Sequence, residues 1–188
     1  MVRVIAGSCR GRRLVAPEGA TTRPTGDRVR EATFNALASL DALDGAEVLD
    51  LFAGSGALGI EALSRGAAHA TFVDRDRRAV DAVEANLDAT GLAARATVVR
   101  GPAERTLADA ARRAQRWSLA LVDPPYAFDG WEDLLVAIPA DLVVVESDRA
   151  VAIPPGWRAI RERRYGATLV SILRSQPPAA LPGLDQSE

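Results

Sequence analysis

A short loop, Asp123-Pro124-Pro125-Tyr126, holds the residue types best suited to chemistry, and it follows the apolar run Ser118–Val122. An exocyclic amino group of guanine, adenine or cytosine is a poor nucleophile, because its lone pair is delocalised into the ring. The Asp123 carboxylate and the Pro124 carbonyl can each accept one N–H, which favours a pyramidal nitrogen with its lone pair free to attack. The prolines lock φ and hold that carbonyl in place, and the Tyr126 ring can stack on the base. The same tetrapeptide occurs in ordinary turns, but its position after a strand favours a role in catalysis.

A second loop, Asp50-Leu51-Phe52-Ala53-Gly54-Ser55-Gly56, follows the apolar run Glu47–Leu51. With Gly59 it satisfies the G-x-G-x-x-G pattern, which indicates nucleotide binding when a strand precedes it and a helix follows. Glycines let the backbone turn sharply and approach a ligand without an intervening Cβ. Asp74 ends the next predicted strand, where a carboxylate can accept hydrogen bonds from both ribose hydroxyls. The alternative role for Asp74 is to cap the helix that begins near Asp76.

The glycine loop by itself fits NAD as well as S-adenosylmethionine. A dinucleotide needs its pyrophosphate at the helix N-terminus, whereas S-adenosylmethionine presents a cationic sulfonium and an amino-acid end. Asp50 can receive a charged amino group, directly or through water, and hydride chemistry has no need of the Asp-Pro-Pro-Tyr loop. The two loops together therefore predict transfer of a methyl group from S-adenosylmethionine to an exocyclic amine of a base. The predicted cofactor contacts here are Asp50, Phe52, Ala53, Gly54, Ser55, Gly56, Asp74, Arg75 and Asp123.

The target base must lie outside a regular helix, because a paired base cannot present its amino edge to this loop. Asp123, Pro124 and Tyr126 are the predicted catalytic residues, and most of the acceleration is expected from positioning. Pro125 and Phe128 are predicted to contact the base. Phe128 and Trp131 could extend the stacking wall, although packing in the core explains each at least as well. His69 is not needed as a base, because the attacked nitrogen becomes acidic as the new bond forms.

An alternation of strands and helices must position these loops. It predicts an α/β fold with a doubly wound, Rossmann-like parallel sheet of the class I methyltransferase type. Two final strands joined at Gly166 predict a C-terminal antiparallel hairpin. The predicted strands are Glu47–Phe52, Ala70–Val73, Ala96–Arg100, Leu119–Val122, Leu142–Glu146, Trp157–Tyr165 and Thr168–Leu173. The predicted helices are Ala57–Arg65, Arg77–Thr90, Ala103–Arg116 and Trp131–Ile138.

The N-terminal segment is predicted to be an extension of this sheet domain. Arg3–Ala6 and Arg12–Val15 read as a small β-hairpin, and Asp27–Leu40 has helical spacing of apolar residues. We expect residues 1–44 to cover RNA and cofactor and residues 45–174 to form the methyltransferase domain. Residues 175–188, with three prolines and few apolar anchors, are expected to be a disordered tail.

Composition predicts a single globular domain in a reducing cytoplasm. The chain has 188 residues, 48% of them hydrophobic, and no apolar run near the roughly 20 residues that span a bilayer. One cysteine, Cys9, and one histidine exclude a disulfide framework and argue against a zinc site, so no metal is expected. All 23 basic residues are arginine, and residues 1–35 carry seven of them against three acids. This basic patch suits an RNA backbone, or it is simply a solvated surface.

The chain resembles the bacterial family that methylates N2 of a guanine in small-subunit (16S) ribosomal RNA, over nearly all of Arg3–Arg174. The resemblance rests on Arg23-Pro-Thr-Gly-Asp-Arg-Val-Arg-Glu-Ala-Thr-Phe-Asn35, on the glycine loop with Gly59-Ile-Glu-Ala-Leu63, and on Asp123-Pro-Pro-Tyr126. The first segment separates this family from DNA adenine methyltransferases.

The resemblance implies partners and further contacts. Arg23 and Thr25 would lie across the cofactor or target opening, and Pro102 and Ala103 would contact the adenine ring. The partner would be ribosomal RNA, within the small subunit or its assembly intermediate, without a membrane; a monomer is the default. The hairpin residues that would touch RNA are Arg10, Arg12 and Arg13.

Other readings remain open on the residues alone. The same loop chemistry could methylate adenine or cytosine in DNA or another RNA, or a protein glutamine. Glutamine enzymes usually carry Asn where Asp123 stands, which favours a base. An NAD oxidoreductase would use the glycine loop but lacks a catalytic dyad here. A non-catalytic RNA-binding module would have no reason to keep both motifs.

Overall fold

The computed structural model describes residues 2–17, 26–125 and 127–176. Its helices are α1 (Gly26–Ala38), α2 (Ala57–Ser64), α3 (Arg77–Thr90), α4 (Ala103–Arg112) and α5 (Trp131–Ala137). Its strands are β1 (Val2–Arg3), β2 (Arg13–Leu14), β3 (Glu47–Leu51), β4 (His69–Asp74), β5 (Ala96–Arg100), β6 (Trp117–Val122), β7 (Ala140–Ser147), β8 (Trp157–Tyr165) and β9 (Thr168–Ser175).

Seven strands form one sheet in the order β5-β4-β3-β6-β7-β9-β8. The five strands from β3 to β7 are parallel to one another. Strand β9 lies antiparallel between β7 and β8, and β1 and β2 form a separate antiparallel hairpin. The predicted doubly wound parallel sheet, its C-terminal antiparallel hairpin and the N-terminal hairpin are confirmed.

The strand order reverses next to β3, and this reversal sets the place of the two predicted loops. The chain runs outward from β3 through β4 to β5 and then returns to the other side of β3 as β6. Ligands of such sheets bind outside the carboxyl ends of the strands at the reversal. Leu51, the last residue of β3, pairs in register with Val122, the last residue of β6. The glycine loop and the Asp-Pro-Pro-Tyr loop therefore start side by side.

Two apolar layers cover the sheet, which explains the continuous apolar character of its parallel strands. One layer joins Phe34 of α1, Leu63 of α2 and Leu87 of α3 to the sheet. The opposite layer joins α4 and α5 to the other face, with Leu107 and Leu135 almost fully buried. Truncation of such fully buried side chains to alanine typically costs about 2–5 kcal/mol, so both layers hold the strand ends in place.

The N-terminal hairpin is fixed to α2 through a buried carboxylate. Glu61 has 0% exposure and accepts the backbone N–H groups of Ile5 and Ala6 at 2.7 and 3.1 Å. Its other close partner is the Arg65 guanidinium, 2.6 Å away. Gly7, with φ of 82°, lets the hairpin lie close to α2, since a Cβ there would lie 1.8 Å from the Ser64 carbonyl oxygen. A buried charge of this kind requires its donors.

A similar polar anchor holds the chain that follows the hairpin. The fully buried Asn86 of α3 accepts the Val15 N–H at 2.7 Å and donates to the Val15 carbonyl at 2.8 Å. Its amide also donates to the Ser55 carbonyl of the glycine loop at 2.8 Å. The N-terminal extension is thus connected to the wall of the candidate site.

Several predicted boundaries differ from the structure. Helix α4 ends at Arg112 instead of Arg116, because Ala114 adopts a left-handed φ of 50°. Strand β6 begins at Trp117, whose N–H donates to the Pro139 carbonyl at 3.0 Å. Strand β9 includes Ser175, which the prediction assigned to the tail. Gln176, also assigned to the tail, donates its N–H to the Gly156 carbonyl at 2.7 Å, and residues 177–188 lie outside the described residues. Within the described part of the chain, no helix has the length and apolarity needed to cross a membrane.

Candidate active site at the carboxyl ends of the strands

A cleft of about 1020 Å³ opens at the reversal of strand order. Its wall is formed by the loops after β3, β4, β5 and β6, by the end of β7 and by the start of α1. The predicted cofactor residues found in this wall are Phe52, Ala53, Gly54, Ser55, Asp74, Arg75, Pro102, Ala103 and Asp123. These residues come from four separate loops, and their convergence supports the predicted nucleotide-like site.

The glycine loop turns through three residues with left-handed φ. Gly54 and Gly56 have φ of 57° and 73°, and Phe52 has φ of 62°. A positive φ is uncommon for a bulky residue and concentrates at functional loops. Gly56 lies behind the cleft wall and closes the turn onto the Ala53 carbonyl at 2.7 Å. Gly59 serves packing, since a Cβ there would lie 2.3 Å from the Phe72 ring.

The Asp74 carboxylate connects two walls of the cleft. One oxygen accepts the Gly54 N–H and the other accepts the Asp76 N–H, both at 2.9 Å. The side chain that caps α3 is Asp76, which accepts the Arg78 N–H at 3.0 Å, so the alternative cap role of Asp74 is wrong. Each carboxylate oxygen can accept more than one hydrogen bond. The orientation of Asp74 is therefore fixed by backbone donors and leaves acceptor capacity toward the cleft.

Asp50 lies beneath the glycine loop, outside the cleft wall. Its side chain has 1% exposure and accepts the Gly59 N–H at 2.8 Å, which fixes the first turn of α2. Burial raises the pKa of Asp50 well above its usual range, and the charges of Asp123 and Asp74 raise it further, against the opposing effect of the Gly59 N–H. The structure thus does not bring Asp50 into the wall with the other predicted cofactor residues.

The Asp-Pro-Pro-Tyr loop forms the wall opposite Asp74. Asp123 is half-buried, Pro124 is buried, and Pro125 is exposed and lines the cleft. The turn closes where the Phe128 N–H donates to the Pro125 carbonyl at 2.8 Å. Tyr126 lies outside the described residues, so its predicted stacking role stays a prediction.

Aromatic rings connect the two motif loops. The ring centroids of Phe52 and Phe128 are 5.4 Å apart, and those of Phe128 and Trp131 are 5.2 Å apart. Trp131 has 8% exposure and belongs to the core, whereas Phe128 is half-buried and lines the cleft. Of the two open readings, Trp131 is a core residue and Phe128 is in a position to contact a ligand.

The three hairpin arginines predicted to contact RNA are not part of the cleft wall. Arg10, Arg12 and Arg13 are exposed on the hairpin. Arg23 and Thr25, predicted across the opening, lie outside the described residues. The contacts of these five residues with RNA or cofactor remain predictions.

Four charged residues of the cleft wall are not among the residues predicted from the sequence. Asp27 and Arg30 come from the start of α1, Glu104 from the start of α4, and Glu146 from the end of β7. The Arg30 guanidinium has 7% exposure and donates to the Asp27 carboxylate at 2.9 Å and to the Arg3 carbonyl at 2.6 Å. Asp27 and Arg30 lie within the Arg23–Asn35 segment, Glu146 ends a predicted strand, and Glu104 directly follows the predicted adenine contacts, so each position lies in or beside a segment that the sequence already singled out.

Comparisons with known proteins identify the family of this chain. The family profile described as "Conserved hypothetical protein 95" matches residues 2–174. The Bacillus subtilis protein YlbH is 42% identical over 185 residues, which cover 93% of this chain and 100% of that protein. The Escherichia coli K12 protein named "Ribosomal RNA small subunit methyltransferase D" is 39% identical over 175 residues, which cover 88% of this chain and 85% of that protein.

Solved structures place the chain in the same group. The solved structure of the Escherichia coli protein yhhF, which is named as a methyltransferase, matches with a TM-score of 0.79 at 38% identity. The match covers 93% of this chain and 98% of that one. The sheet is therefore that of a class I methyltransferase, and the chain belongs to the "Conserved hypothetical protein 95" family, which is the family of ribosomal RNA small subunit methyltransferase D.

Proposed function

We propose that this protein transfers a methyl group from S-adenosylmethionine to the exocyclic N2 amino group of a guanine in small-subunit ribosomal RNA. The observation that carries the proposal is the shared cleft of Asp74, the glycine loop and the Asp123-Pro124 pair. Such a transfer requires one part of the cleft to bind the cofactor ribose and another part to hold the amino group, and this cleft offers a carboxylate for the first and a loop for the second. The printed name of the Escherichia coli relative supports ribosomal RNA as the substrate.

The described residues fit S-adenosylmethionine. Asp74 has acceptor capacity for ribose hydroxyls, and its orientation is set by the Gly54 and Asp76 N–H groups. Pro102 and Ala103 offer a flat wall at the start of α4, beside Asp74. Asp50 lies under the loop with a raised pKa, so its proposed contribution is to fix the first turn of α2 through the Gly59 N–H. The bound cofactor supplies an activated methyl group; the protein supplies position and charge.

The chemistry asked of the protein is to hold one nitrogen in line with that methyl group. The Asp123 carboxylate and the Pro124 carbonyl accept the two amino protons, which directs the nitrogen lone pair. Holding reacting atoms about 3–3.5 Å apart accounts for a large part of the rate in such reactions. The proton released as the N–C bond forms passes to Asp123 or to water, since the methylated nitrogen is strongly acidic at that stage. Tyr126 and Phe128 are proposed to grip the base by stacking.

The RNA is proposed to reach the cleft as an unpaired or flipped nucleotide. The exposed arginines of the hairpin are proposed to contact its backbone, while the cleft itself is proposed to read the base. A domain of this size offers little surface for reading sequence, so assembled protein–RNA structure of the small subunit is proposed to complete recognition. We propose that the protein acts there as a monomer.

The test is transfer of labelled methyl from S-adenosylmethionine to small ribosomal subunits that lack the modification, followed by nucleoside analysis. Label in N2-methylguanosine is the expected result. Label in adenine or cytosine would keep the chemistry and overturn the target base. No label in any RNA, with cofactor binding intact, would overturn RNA as the substrate. The same assay on naked RNA decides whether the assembled subunit is required.

A further inference from the structure

We propose that Glu146 selects guanine by accepting the N1–H of the target base, next to the amino group held at Asp123. This inference rests on the proposed function and assigns the base selectivity of the same cleft to a second carboxylate. No part of the two sequence motifs contains Glu146.

The register of the sheet brings the two carboxylates together. Val122 of β6 pairs with Val145 of β7 in a parallel ladder. Asp123 and Glu146 each follow the paired residue, so they occupy equivalent positions on neighbouring strands, which lie about 4.8 Å apart. Both residues are half-buried and both line the cleft.

The alternation of side chains along β7 shows which face of the sheet Glu146 points to. Leu142 and Val144 belong to the apolar layer under α1, α2 and α3. Because alternate residues of a strand share a face, Glu146 points to that same side. The start of α1, with Arg30, forms the cleft wall there. A base that enters between α1 and the strand ends therefore meets Asp123 and Glu146 with one edge.

The edge of guanine suits two adjacent acceptors. Guanine presents the N1–H donor beside its N2 amino group, so N1 and N2 both donate hydrogen bonds. Adenine presents a lone pair on N1 beside its N6 amino group, and cytosine presents a lone pair on N3 beside its N4 amino group. A carboxylate at this position would accept a hydrogen bond from guanine and repel the lone pair of the other two bases. Discrimination by such repulsion is a common source of specificity.

The charge around this position strengthens the argument. Asp50, Asp74 and Asp123 interact closely enough that the charges of the last two raise the pKa of the first. Glu146 adds a fourth carboxylate at the same ends of the strands. Several carboxylates at one end of the sheet favour a ligand edge made of N–H donors over an edge with lone pairs.

The first experiment compares Glu146→Gln with wild type on small subunits assembled from transcripts with guanine or adenine at the methylated position. A glutamine amide can donate an N–H to N1 of adenine, so the variant should lose the repulsion. We expect kcat/KM for guanine to fall about 100-fold or more, as when a designed polar contact is lost. The preference for guanine over adenine should fall by a similar factor, while the affinity for S-adenosylmethionine changes less than about twofold. Glu132→Gln, an exposed change on α5, is the matched control and should leave both quantities unchanged.

The second experiment needs no variant and so does not depend on how Glu146→Gln folds. Subunits carrying 2-aminopurine at the target position keep the amino group and lose the N1–H. Wild-type protein should methylate them about 100-fold more slowly than guanine, and Glu146→Gln should narrow this difference. Equal rates on guanine and 2-aminopurine would overturn the role of Glu146, as would an unchanged guanine preference in a folded Glu146→Gln protein. Label on adenine with wild type would instead overturn the proposed function, and this inference with it.

Discussion

The rings of Phe52 and Phe128 lie with their centroids 5.4 Å apart, and this contact joins the glycine loop to the Asp-Pro-Pro-Tyr loop. Phe52 holds its ring there with a left-handed φ of 62°, and Phe128 is fixed in turn against Trp131. The two halves of the candidate site are therefore mechanically connected. A substitution in one loop should therefore change the affinity of the other loop for its ligand.

Phe128→Ala tests this connection. The loss of the aromatic contacts should lower the free energy of unfolding by on the order of 1–3 kcal/mol. Affinity for S-adenosylmethionine and methyl transfer should fall together, because both loops lose a common support. Calorimetric titration and the transfer assay measure the two effects, with Phe128→Leu as the conservative variant that restores most of the packing. If only transfer falls, the ring acts on the base alone.

Asp123→Ala separates chemistry from binding. The variant loses the proposed acceptor of an amino proton, so we expect transfer to fall by on the order of 10²–10³, as for the loss of one preorganised group. Cofactor affinity should stay within about threefold, because Asp74 and the glycine loop remain. A single-turnover assay at saturating cofactor measures the rate. Transfer at the wild-type rate would remove Asp123 from the proposed mechanism.

Asp74→Ala should act in the opposite way. The proposed ribose acceptor is lost, and the Gly54 and Asp76 N–H groups lose their partner, so cofactor affinity should weaken by on the order of 1–3 kcal/mol. Asp74→Asn keeps one acceptor oxygen and should lose less. The single-turnover rate at saturating cofactor should change little in both. Unchanged affinity in the alanine variant would contradict the ribose role.

The buried Asp50 gives a pH dependence with a definite sign. Its folded pKa is raised above its unfolded pKa, near 3.9, so the folded state binds its proton more tightly. The contribution is stabilising below the unfolded pKa and is lost as pH rises through the raised folded pKa. Asp50→Asn keeps an acceptor for the Gly59 N–H and lacks this titration. The free energy of unfolding of the variant, minus that of wild type, should rise with pH from about 4 and then level off. Urea unfolding at a series of pH values measures this difference, and a difference that does not change with pH would contradict the raised pKa of Asp50.

Replacement of the three hairpin arginines tests the RNA surface without disturbing the fold. Arg10, Arg12 and Arg13 are exposed, so glutamine at all three should leave stability and cofactor affinity unchanged. RNA binding should weaken, and the salt dependence of log K should lose about 0.7–0.9 of slope for each phosphate contact removed. Glutamine at Arg112, Arg113 and Arg116, also exposed, is the control. Equal effects of the two triple variants would make the hairpin an ordinary solvated surface.

The sequence predicted the sheet and its loops because their signals are local. Helix α3 has the predicted bounds, Arg77–Thr90, because the glycine that follows it adopts a φ of 71°, and the apolar runs of the buried strands mark their positions. Side-chain roles at the strand ends were harder to predict. Asp50 and Glu146 both follow apolar strand residues, yet one is covered by Gly59 and the other lines the cleft. That difference depends on how closely α2 packs on the sheet, which no local pattern encodes. The early end of α4 likewise depends on the conformation of Ala114, which lies in a sequence with ordinary helical composition.

The anchoring of the hairpin has a consequence for the order in which the chain folds. Ile5 bonds to Glu61, 56 residues later, and Val15 bonds to Asn86, 71 residues later. The N-terminus leaves the ribosome first, but its partners on α2 and α3 are made only afterwards. The arginine-rich segment therefore remains solvated, without its contacts to α2 and α3, while the first half of the sheet is synthesised. Contacts of such long sequence separation form slowly, so the proposed RNA-facing surface of this protein is completed late in its own synthesis.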